Sequence, residues 1–255
     1  MLEDVRLILL IAQRDLSRFW RYKYWLAGQV AMNLADILIF GLIFRGIVNP
    51  VLIPDYIKFI TPGILSLSIF ISSFSIGREV GIELRREVTL YLVSLPVKRS
   101  VLAIGRIVSG VLRGLIYQFG FLLFAVIILG MPSLTRWLYI LYTTILLAAV
   151  MASLSISLST VTRDFNLQAT IRSLMYNILF FVSNIFYPET VVKARLGFAA
   201  PIVNYSPLSM ATSIYRWGFG YVESVDLAYN ALGLLAWTIV ILISAYKLYI
   251  RNLVG

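Results

Sequence analysis

Long apolar stretches separated by short polar segments dominate this chain. They lie at about residues 24–47, 56–76, 101–130, 137–161, 167–187 and 227–249. A helix rises about 1.5 Å per residue, so about 20 apolar residues cross the hydrocarbon core of a bilayer, and every stretch reaches that length. The pattern predicts an all-α polytopic membrane protein with six transmembrane helices.

Residues 1–22 have the spacing of an amphipathic helix rather than of a span. Apolar residues recur at intervals of three and four, with Arg6, Arg14, Arg18 and Arg21 between them. The continuous apolar part is too short to cross a bilayer, and aromatic residues follow it. We therefore expect an N-terminal helix that lies in the membrane interface.

A second amphipathic segment, residues 78–96, separates the second and third stretches. It ends at Pro96, which cannot continue a helix. Glu79, Glu83 and Glu87 lie four residues apart, so one helical face carries all three acids. The opposite face is an apolar stripe of Val80, Leu84, Val88, Tyr91 and Leu95.

The stacked acids and the apolar stripe need different neighbours. Acids four residues apart on a helix repel one another by a few tenths of a kcal/mol per pair, roughly. We therefore expect cations to neutralise them, either from a partner protein or from Arg14 and Arg18. We expect the apolar stripe to pack on the first and third spans.

Residues 188–226 are less regular than the rest of the chain. Pro188, Pro201, Pro207 and several glycines interrupt a moderately apolar sequence. Irregular backbone at membrane depth is tolerated only where protein or water satisfies its polar groups. We expect either a re-entrant helical hairpin before the last span or a cap in the interface.

The distribution of Lys and Arg predicts the orientation. Six spans place both termini on one side, and most Lys and Arg lie on that side. Excess positive charge marks cytoplasmic loops, so we expect both termini and residues 78–96 in the cytoplasm and residues 188–226 outside the cell. The basic residues assigned to the outside are Arg45, Lys58, Arg136, Lys193, Arg195 and Arg216.

Composition supports a membrane protein and excludes several chemistries. The chain is 60% hydrophobic and 13% charged, whereas soluble domains are about a quarter charged. It has no Cys and no His, which excludes disulfides, Cys/His metal sites and His-based acid–base catalysis. There is no G-x-x-x-x-G-K-[ST] phosphate loop, so we expect no ATP site of that type and no cofactor in this chain.

The net charge is +10, and no shift in composition along the chain marks a second domain. No long basic run is present, so the excess charge indicates contact with anionic lipid rather than with nucleic acid. We see no internal repeat and expect one domain over residues 1–255.

A few polar residues within the predicted spans are candidates for a substrate path. Gln29, Asn33 and Asp36 share one face of the first span, and an intramembrane Asp normally faces protein or water. A hydrogen bond from this face to a neighbouring helix is the structural alternative. The candidates in the fifth span are Asn177 and Asn184.

Taken in order, these features resemble the membrane subunit of ABC-2 type transporters. The most specific match is ELRREVTLYLVSLPVKR at residues 83–99, where family members often show an acid, a charged turn, a Leu-rich stretch and Leu-Pro before basic residues. Weaker matches are SNIFYP at 183–188 and NYSPL at 204–208 followed by Arg216. The chain departs from the family at 87–88, where many members have a glycine.

The resemblance implies an assembly and a role for each segment. Two permease subunits, expected to be identical copies, would associate with two separate ATPase subunits that bind ATP and Mg. Residues 78–96 would be a coupling helix seated in a cleft of the ATPase. The implied coupling residues are Glu79, Glu83, Arg86, Glu87 and Pro96, and the implied external gate is Asn204, Pro207 and Arg216.

On this interpretation the chain is not itself an enzyme. It would export an amphipathic or hydrophobic substrate, such as a drug-like molecule, a lipid or a lipid-linked glycan, across the plasma membrane. We expect Glu83→Lys to leave membrane insertion intact and to uncouple ATP hydrolysis from transport. The alternative is a non-transporting membrane scaffold or assembly factor that binds a cytoplasmic partner through residues 78–96.

Overall fold

The computed structural model describes residues 2–21, 23–24, 27–28, 30–31, 34–35, 38–39, 42–43, 53–86, 88–162, 164–195, 197–222 and 225–254. These residues are arranged in helices and connecting turns, and they form no strand. Helix α1 covers Leu2–Arg21, as the amphipathic pattern predicts. From residue 53 onward the helices are α2 (Tyr56–Phe74), α3 (Ile76–Arg85), α4 (Val88–Ser94), α5 (Arg99–Leu129), α6 (Leu134–Thr160), α7 (Phe165–Phe181), α8 (Glu189–Arg195), α9 (Ala200–Tyr205), α10 (Pro207–Gly218) and α11 (Leu227–Val254).

Among the described residues, four helical stretches are long and apolar enough to cross a membrane. They are Tyr56–Arg85, Arg99–Leu129, Leu134–Ser159 and Leu227–Leu253. They coincide with the predicted second, third, fourth and last spans, so an all-helical protein with several candidate spans is confirmed. The predicted first span at 24–47 lies largely outside the described residues, and α7, at the predicted fifth span, has 17 residues.

The segment predicted as one surface helix is divided in two. Helix α3 continues α2, because Ser75 keeps helical backbone angles (φ −61°, ψ −23°) and the apolar side of α3 is buried. The helix ends at Arg86, whose N–H donates to the carbonyl of Ile82 at 3.0 Å, and α4 begins at Val88. Burial of Val80 explains why α3 stays in line with the span, a tertiary effect that local spacing does not reveal.

Helix α2 is the centre of the bundle. It packs against α5, α6 and α10, and most of its side chains are buried. Small residues let its neighbours approach closely: a Cβ atom on Gly110 of α5 would lie 2.5 Å from the Cβ of Ala152 of α6. Helix α1 packs along α5 outside this core.

The predicted irregular segment is helical for most of its length. Helices α8 and α9 form a small cluster through Val192, Ala200 and Val203. Helix α10 is buried and packs against α2, α6 and α11, so this part of the segment belongs to the core of the bundle.

The bundle has two chemically different ends. Phe59 near the start of α2 and Glu79 in α3 belong to one continuous helical stretch and lie about 30 Å apart along it, at about 1.5 Å per residue. Glu79 lies beside α1, the start of α5 and the ends of α6 and α11. Phe59 lies beside α10 and the segment that follows α7.

Candidate functional site

Charged residues of α1, α3 and α5 converge at the α3 end of the bundle. We call this group the ionic cluster. It contains three acids and four arginines, namely Asp15, Glu79, Glu83, Arg14, Arg18, Arg106 and Arg113.

Asp15 is the most enclosed member of the ionic cluster, with 0% of its surface exposed. The Nη1 atom of Arg106 donates to both of its carboxylate oxygens, at 2.8 and 2.7 Å, and Arg14 donates at 3.2 Å. The main-chain carbonyl of Asp15 accepts a hydrogen bond of 2.7 Å from Arg113. Burial alone would raise the pKa of Asp15, but the charges of Arg106 and Arg14 outweigh burial and hold that pKa below its ordinary value.

Glu83 joins three helices through its carboxylate. It is 4% exposed and forms ion pairs with Arg18 of α1 and Arg106 of α5. Arg14 of α1 approaches it at 3.4 Å. The expected neutralisation of this acid by Arg14 and Arg18 is therefore present in the structure, with Arg106 as a third cation.

Glu79 has a similar environment one turn earlier. Its carboxylate accepts a hydrogen bond of 2.8 Å from Arg113 of α5. The guanidinium of Arg113 also lies over the ring of Phe19 of α1, 5.0 Å from the ring centroid, in a cation–π contact. The acidic face of α3 is thus turned towards α1 and α5, and its charges are paired within the chain.

The outward surface at this end is basic rather than acidic. Arg85, Arg86 and Pro96 are exposed, and Tyr91 of the apolar stripe is 66% exposed. A cavity of about 260 Å³ opens beside Glu83, between the side chains of Arg18, Arg21 and Arg86. Glu87, the third predicted acid, lies outside the described residues.

The rest of the apolar stripe packs inward. Val80 is buried in a cluster formed by α5, α6 and α11, and Leu84, Val88 and Leu95 are partly buried against that cluster. Contact with α5 agrees with the expected packing on the third span. Contact with α6 and α11 was not anticipated.

Three charged residues of this end were missed by sequence reasoning. They are Asp15 of α1 and Arg106 and Arg113 of α5, which follow Asp15 by 91 and 98 residues along the chain. One signal was available: Asp15 is an acid within an otherwise basic amphipathic helix. Among the described residues, no group of three or more acidic side chains is placed to hold a metal ion.

A polar pocket of about 520 Å³ lies at the other end of the bundle. It brings together Asn184, Asn204 and Arg216, which the sequence assigned to two different roles. Pro207 begins α10 nearby and is buried. Asn177 is exposed and donates to the carbonyl of Ser173 at 2.8 Å, away from the pocket, whereas Gln29, Asn33 and Asp36 lie outside the described residues.

Arg216 is held in the wall of the polar pocket by main-chain carbonyls. It is 5% exposed, and its guanidinium lies 3.7 Å from the ring centroid of Phe59. Its Nη2 atom donates to the carbonyls of Asn184 at 2.8 Å and Ile185 at 3.1 Å, and Nε donates to that of Phe59 at 3.3 Å. Arg216 therefore fastens α10 to α2 and to the segment after α7.

Asn184 contributes an incompletely bonded amide to the same wall. The residue is 1% exposed, and its Nδ2 atom donates to Ser213 Oγ at 3.1 Å and to Glu189 Oε1 at 3.3 Å. The Oδ1 atoms of Asn184 and Asn204 are buried and have no hydrogen-bond partner among the described residues. Buried polar atoms of this kind are uncommon in folded proteins.

Comparison with models of known protein families gives a match over most of the chain. The family model described as ABC-2 type transporter matches residues 6–219, which include the ionic cluster, α3, α4 and most residues of the polar pocket. A search of curated proteins finds no match.

Proposed function

Because the chain belongs to the ABC-2 type transporter family and is a membrane component of a transporter, we propose that it is the permease subunit of an exporter. ATP is hydrolysed on a separate ATPase subunit, and a second, identical permease subunit completes the assembly. Both termini and the ionic cluster face the cytoplasm at the plasma membrane, and the polar pocket faces outward. Membrane lipid surrounds the assembly.

The observation that carries this proposal beyond family membership is the continuous helix from Tyr56 to Arg85. It reaches from the polar pocket to the ionic cluster, so a displacement at one end is passed to the other. The buried pairs of Glu83 with Arg18 and Arg106 join α3 to α1 and α5. In this proposal the three helices move together when the ATPase subunit pushes on them.

The surface that receives this push is formed by the end of α3, the turn at Arg86 and α4. We call it the basic face of α3 and α4 because Arg85 and Arg86 are exposed there. Arg85, Arg86 and Pro96 are available to a partner, whereas Glu79 and Glu83 are engaged by arginines of the same chain. We propose that Arg86 and Pro96 contact the ATPase and that Glu79 and Glu83 hold the coupling segment against α1 and α5. Glu87 keeps its proposed role at the partner contact.

The substrate path in this proposal ends at the polar pocket. Asn184 would contact the substrate there, and Asn204, Pro207 and Arg216 would form the gate around it. Gln29, Asn33, Asp36 and Asn177 remain candidates for the part of the path nearer the dimer partner. The proposed substrate is amphipathic or hydrophobic: its apolar part would lie along the apolar side chains of the spans, and a polar group would reach the polar pocket.

Co-purification tests the proposed function. The tagged chain is expressed with candidate phosphate-loop ATPases from neighbouring coding sequences, purified in mild detergent and reconstituted into vesicles. We expect a stable complex whose ATP hydrolysis is stimulated by exported substrate. A chain that recovers no ATPase, or a complex in which hydrolysis never responds to substrate, would contradict the proposal and favour a scaffold.

A further inference from the structure

The polar pocket is lined by both positively and negatively charged side chains. Arg216 supplies positive charge from one wall, and Glu189 and Asp226 supply carboxylates at the same cavity. Asn184 and Asn204 also line the cavity, and their buried Oδ1 atoms have no hydrogen-bond partner among the described residues. A wall that served only to pack helices would not need these atoms to be left without partners, because buried polar groups without partners cost stability.

Arg216 provides a subsite for an anionic group. The carbonyls of Phe59, Asn184 and Ile185 occupy its Nε and Nη2 atoms, which leaves Nη1 without an acceptor among the described residues. No carboxylate of those residues lies within 4.0 Å of the guanidinium. Carbonyl oxygens do not cancel its charge, so a carboxylate or phosphate entering the cavity would gain a charge-assisted hydrogen bond.

The remaining polar atoms suit a group that donates hydrogen bonds. Glu189 Oε1 lies 3.3 Å from Asn184 Nδ2, so this carboxylate stands beside the unpartnered Oδ1 of the same amide. Asp226 lies at the α11 side of the cavity, where one carboxylate oxygen accepts from the N–H of Tyr229 at 2.9 Å. An ammonium group has three donors and a positive charge, which matches two carboxylates and two amide oxygens.

We propose that the polar pocket binds a small zwitterionic group, with its anion on Arg216 and its ammonium on Glu189 and Asn184. Arg216 and the two carboxylates present opposite charges to one cavity of about 520 Å³, which holds a headgroup or an amino-acid-sized ligand. An anion alone would meet the two carboxylates, and an amine alone would meet the buried guanidinium. A ligand that carries both charges satisfies both.

The placement of this site at the outer end of an export path rests on the proposed function, but the binding itself does not. The same chemistry has two sources, the headgroup of a zwitterionic lipid and a soluble zwitterion such as an amino acid. Both present an anion and an ammonium a few bonds apart. A binding measurement on this chain uses no ATPase, so its failure and the failure of the transporter proposal are separate results.

Calorimetric titration of the full-length protein in phosphatidylglycerol nanodiscs tests the site. The probes are glycerophosphoethanolamine, glycerol 3-phosphate and ethanolamine. We expect the zwitterion to bind at least about tenfold more tightly than either single-charge probe, a difference of about 1.4 kcal/mol. Equal affinities for glycerophosphoethanolamine and glycerol 3-phosphate, or no binding of either, would overturn the proposal.

Two variants assign the subsites. Glu189→Gln is expected to weaken glycerophosphoethanolamine binding about tenfold. It should retain or strengthen glycerol 3-phosphate binding, because it removes a carboxylate that repels the anion, and that retained binding also shows that the variant is folded. Arg216→Lys is expected to weaken both phosphate probes, because Lys lacks the planar fork of donors. The matched control is Glu3→Gln, an exposed acid on α1, and a Glu189→Gln variant with wild-type affinity for the zwitterion would refute the assignment.

The lipid composition of the nanodisc distinguishes the two sources of the ligand. Replacing part of the phosphatidylglycerol by phosphatidylethanolamine introduces a competing headgroup. A higher apparent Kd for glycerophosphoethanolamine supports the site with lipid as its ligand, and an unchanged Kd supports the site with a soluble ligand.

Discussion

At the residue scale, the ionic cluster changes what its acids are expected to do. A charged residue on an amphipathic helix is usually solvated, but Glu83 is enclosed by Arg14, Arg18 and Arg106. Removing one partner from a buried network of charges leaves the others uncompensated, which costs about 3–5 kcal/mol. Glu83 is therefore first a structural residue, and its effect on coupling passes through the helices that it joins.

Glu83→Lys is accordingly expected to destabilise the fold as well as to impair transport. The new ammonium would stand among three guanidinium groups, so we expect the free energy of unfolding to fall by about 3–5 kcal/mol. Thermal unfolding in detergent measures the effect, with Glu3→Lys on the exposed side of α1 as the control. A Glu83→Lys protein that unfolds at the wild-type temperature would show that the buried pairs do not stabilise the fold.

Asp15 gives the cluster a pH dependence. Because its pKa is held below the ordinary value in the folded state, its carboxylate stabilises the fold above its unfolded pKa of about 3.9. That stabilisation is lost as the pH falls through the lower, folded pKa. Asp15→Asn should be less stable than the wild type at pH 7 and should lose less stability on acidification below about pH 4, as unfolding midpoints across pH would record.

At the element scale, the join between α2 and α3 and the break after Arg86 define the coupling segment. Gly77 makes the closest contact of α3 with α6: a Cβ atom there would lie 2.5 Å from the carbonyl oxygen of Ser155 and 2.7 Å from Ser159 Oγ. The carbonyl of Gly77 also accepts a hydrogen bond of 2.9 Å from Arg172 of α7. Helix α3 is thus fixed on several sides, which suits an element that transmits displacement.

Gly77→Ala tests this close packing. The added methyl meets main chain as well as side chain, so we expect a loss of about 1–3 kcal/mol in stability. Gly120→Ala on α5 is the matched control, because no atom lies within 4 Å of the place that its Cβ atom would take, and Ala favours a helix over Gly by about 0.5–1 kcal/mol. Equal unfolding temperatures for the two variants would mean that α3 and α6 can separate freely.

At the scale of the whole molecule, the two ends differ in charge and in shape. In the proposed orientation, the cytoplasmic end has arginines on its exposed surface, and its acids are buried in the ionic cluster. A partner that docks there needs an acidic surface, which is the opposite of what an exposed row of Glu79, Glu83 and Glu87 would require. An acidic cleft on the ATPase would therefore indicate docking through the exposed arginines, and a basic cleft would indicate docking through the acids.

Arg86→Glu is expected to weaken the complex with the ATPase. Reversal of one charge at an acidic cleft should raise the Kd about tenfold or more and lower the recovered ATPase in proportion. Arg251→Glu, on the exposed side of the α11 end, is the control. If Arg86→Glu recovered as much ATPase as the control, the basic face of α3 and α4 would not be the docking surface.

The sequence was most informative where apolar length or amphipathic spacing decides the structure. The predicted stretches at 1–22, 56–76, 101–130, 137–161 and 227–249 agree with α1, α2, α5, α6 and α11, with small errors at their ends. The sequence did not show that α3 continues α2 and ends before Arg86. That arrangement depends on burial of Val80 against helices that are distant in the sequence. Spacing rules also continue a helix through any residue that is not a strong breaker.

The candidate sites divide in the same way. Asn184, Asn204 and Arg216 were selected individually, but only folding brings α10 beside the segment after α7. Glu83 was selected for an outward role. Arg14 and Arg18 of α1 were among its expected counter-ions and are found beside it, but Arg106 of α5 was not expected, because no local pattern places it beside α3. The contact of Asp15 with Arg106 joins residues 91 positions apart, so local sequence patterns do not predict it either.

The first helix is bound to the bundle by more than its apolar side. Arg106 and Arg113 are 1% exposed, and both depend on atoms of Asp15 for compensation. Trimming residues 2–21 to make a shorter protein for expression would remove the Asp15 contacts of both guanidinium groups, leaving their pairs with Glu83 and Glu79, and would uncover the face of α5 on which α1 packs. Such a truncated chain should fail to accumulate, however completely its membrane spans are preserved.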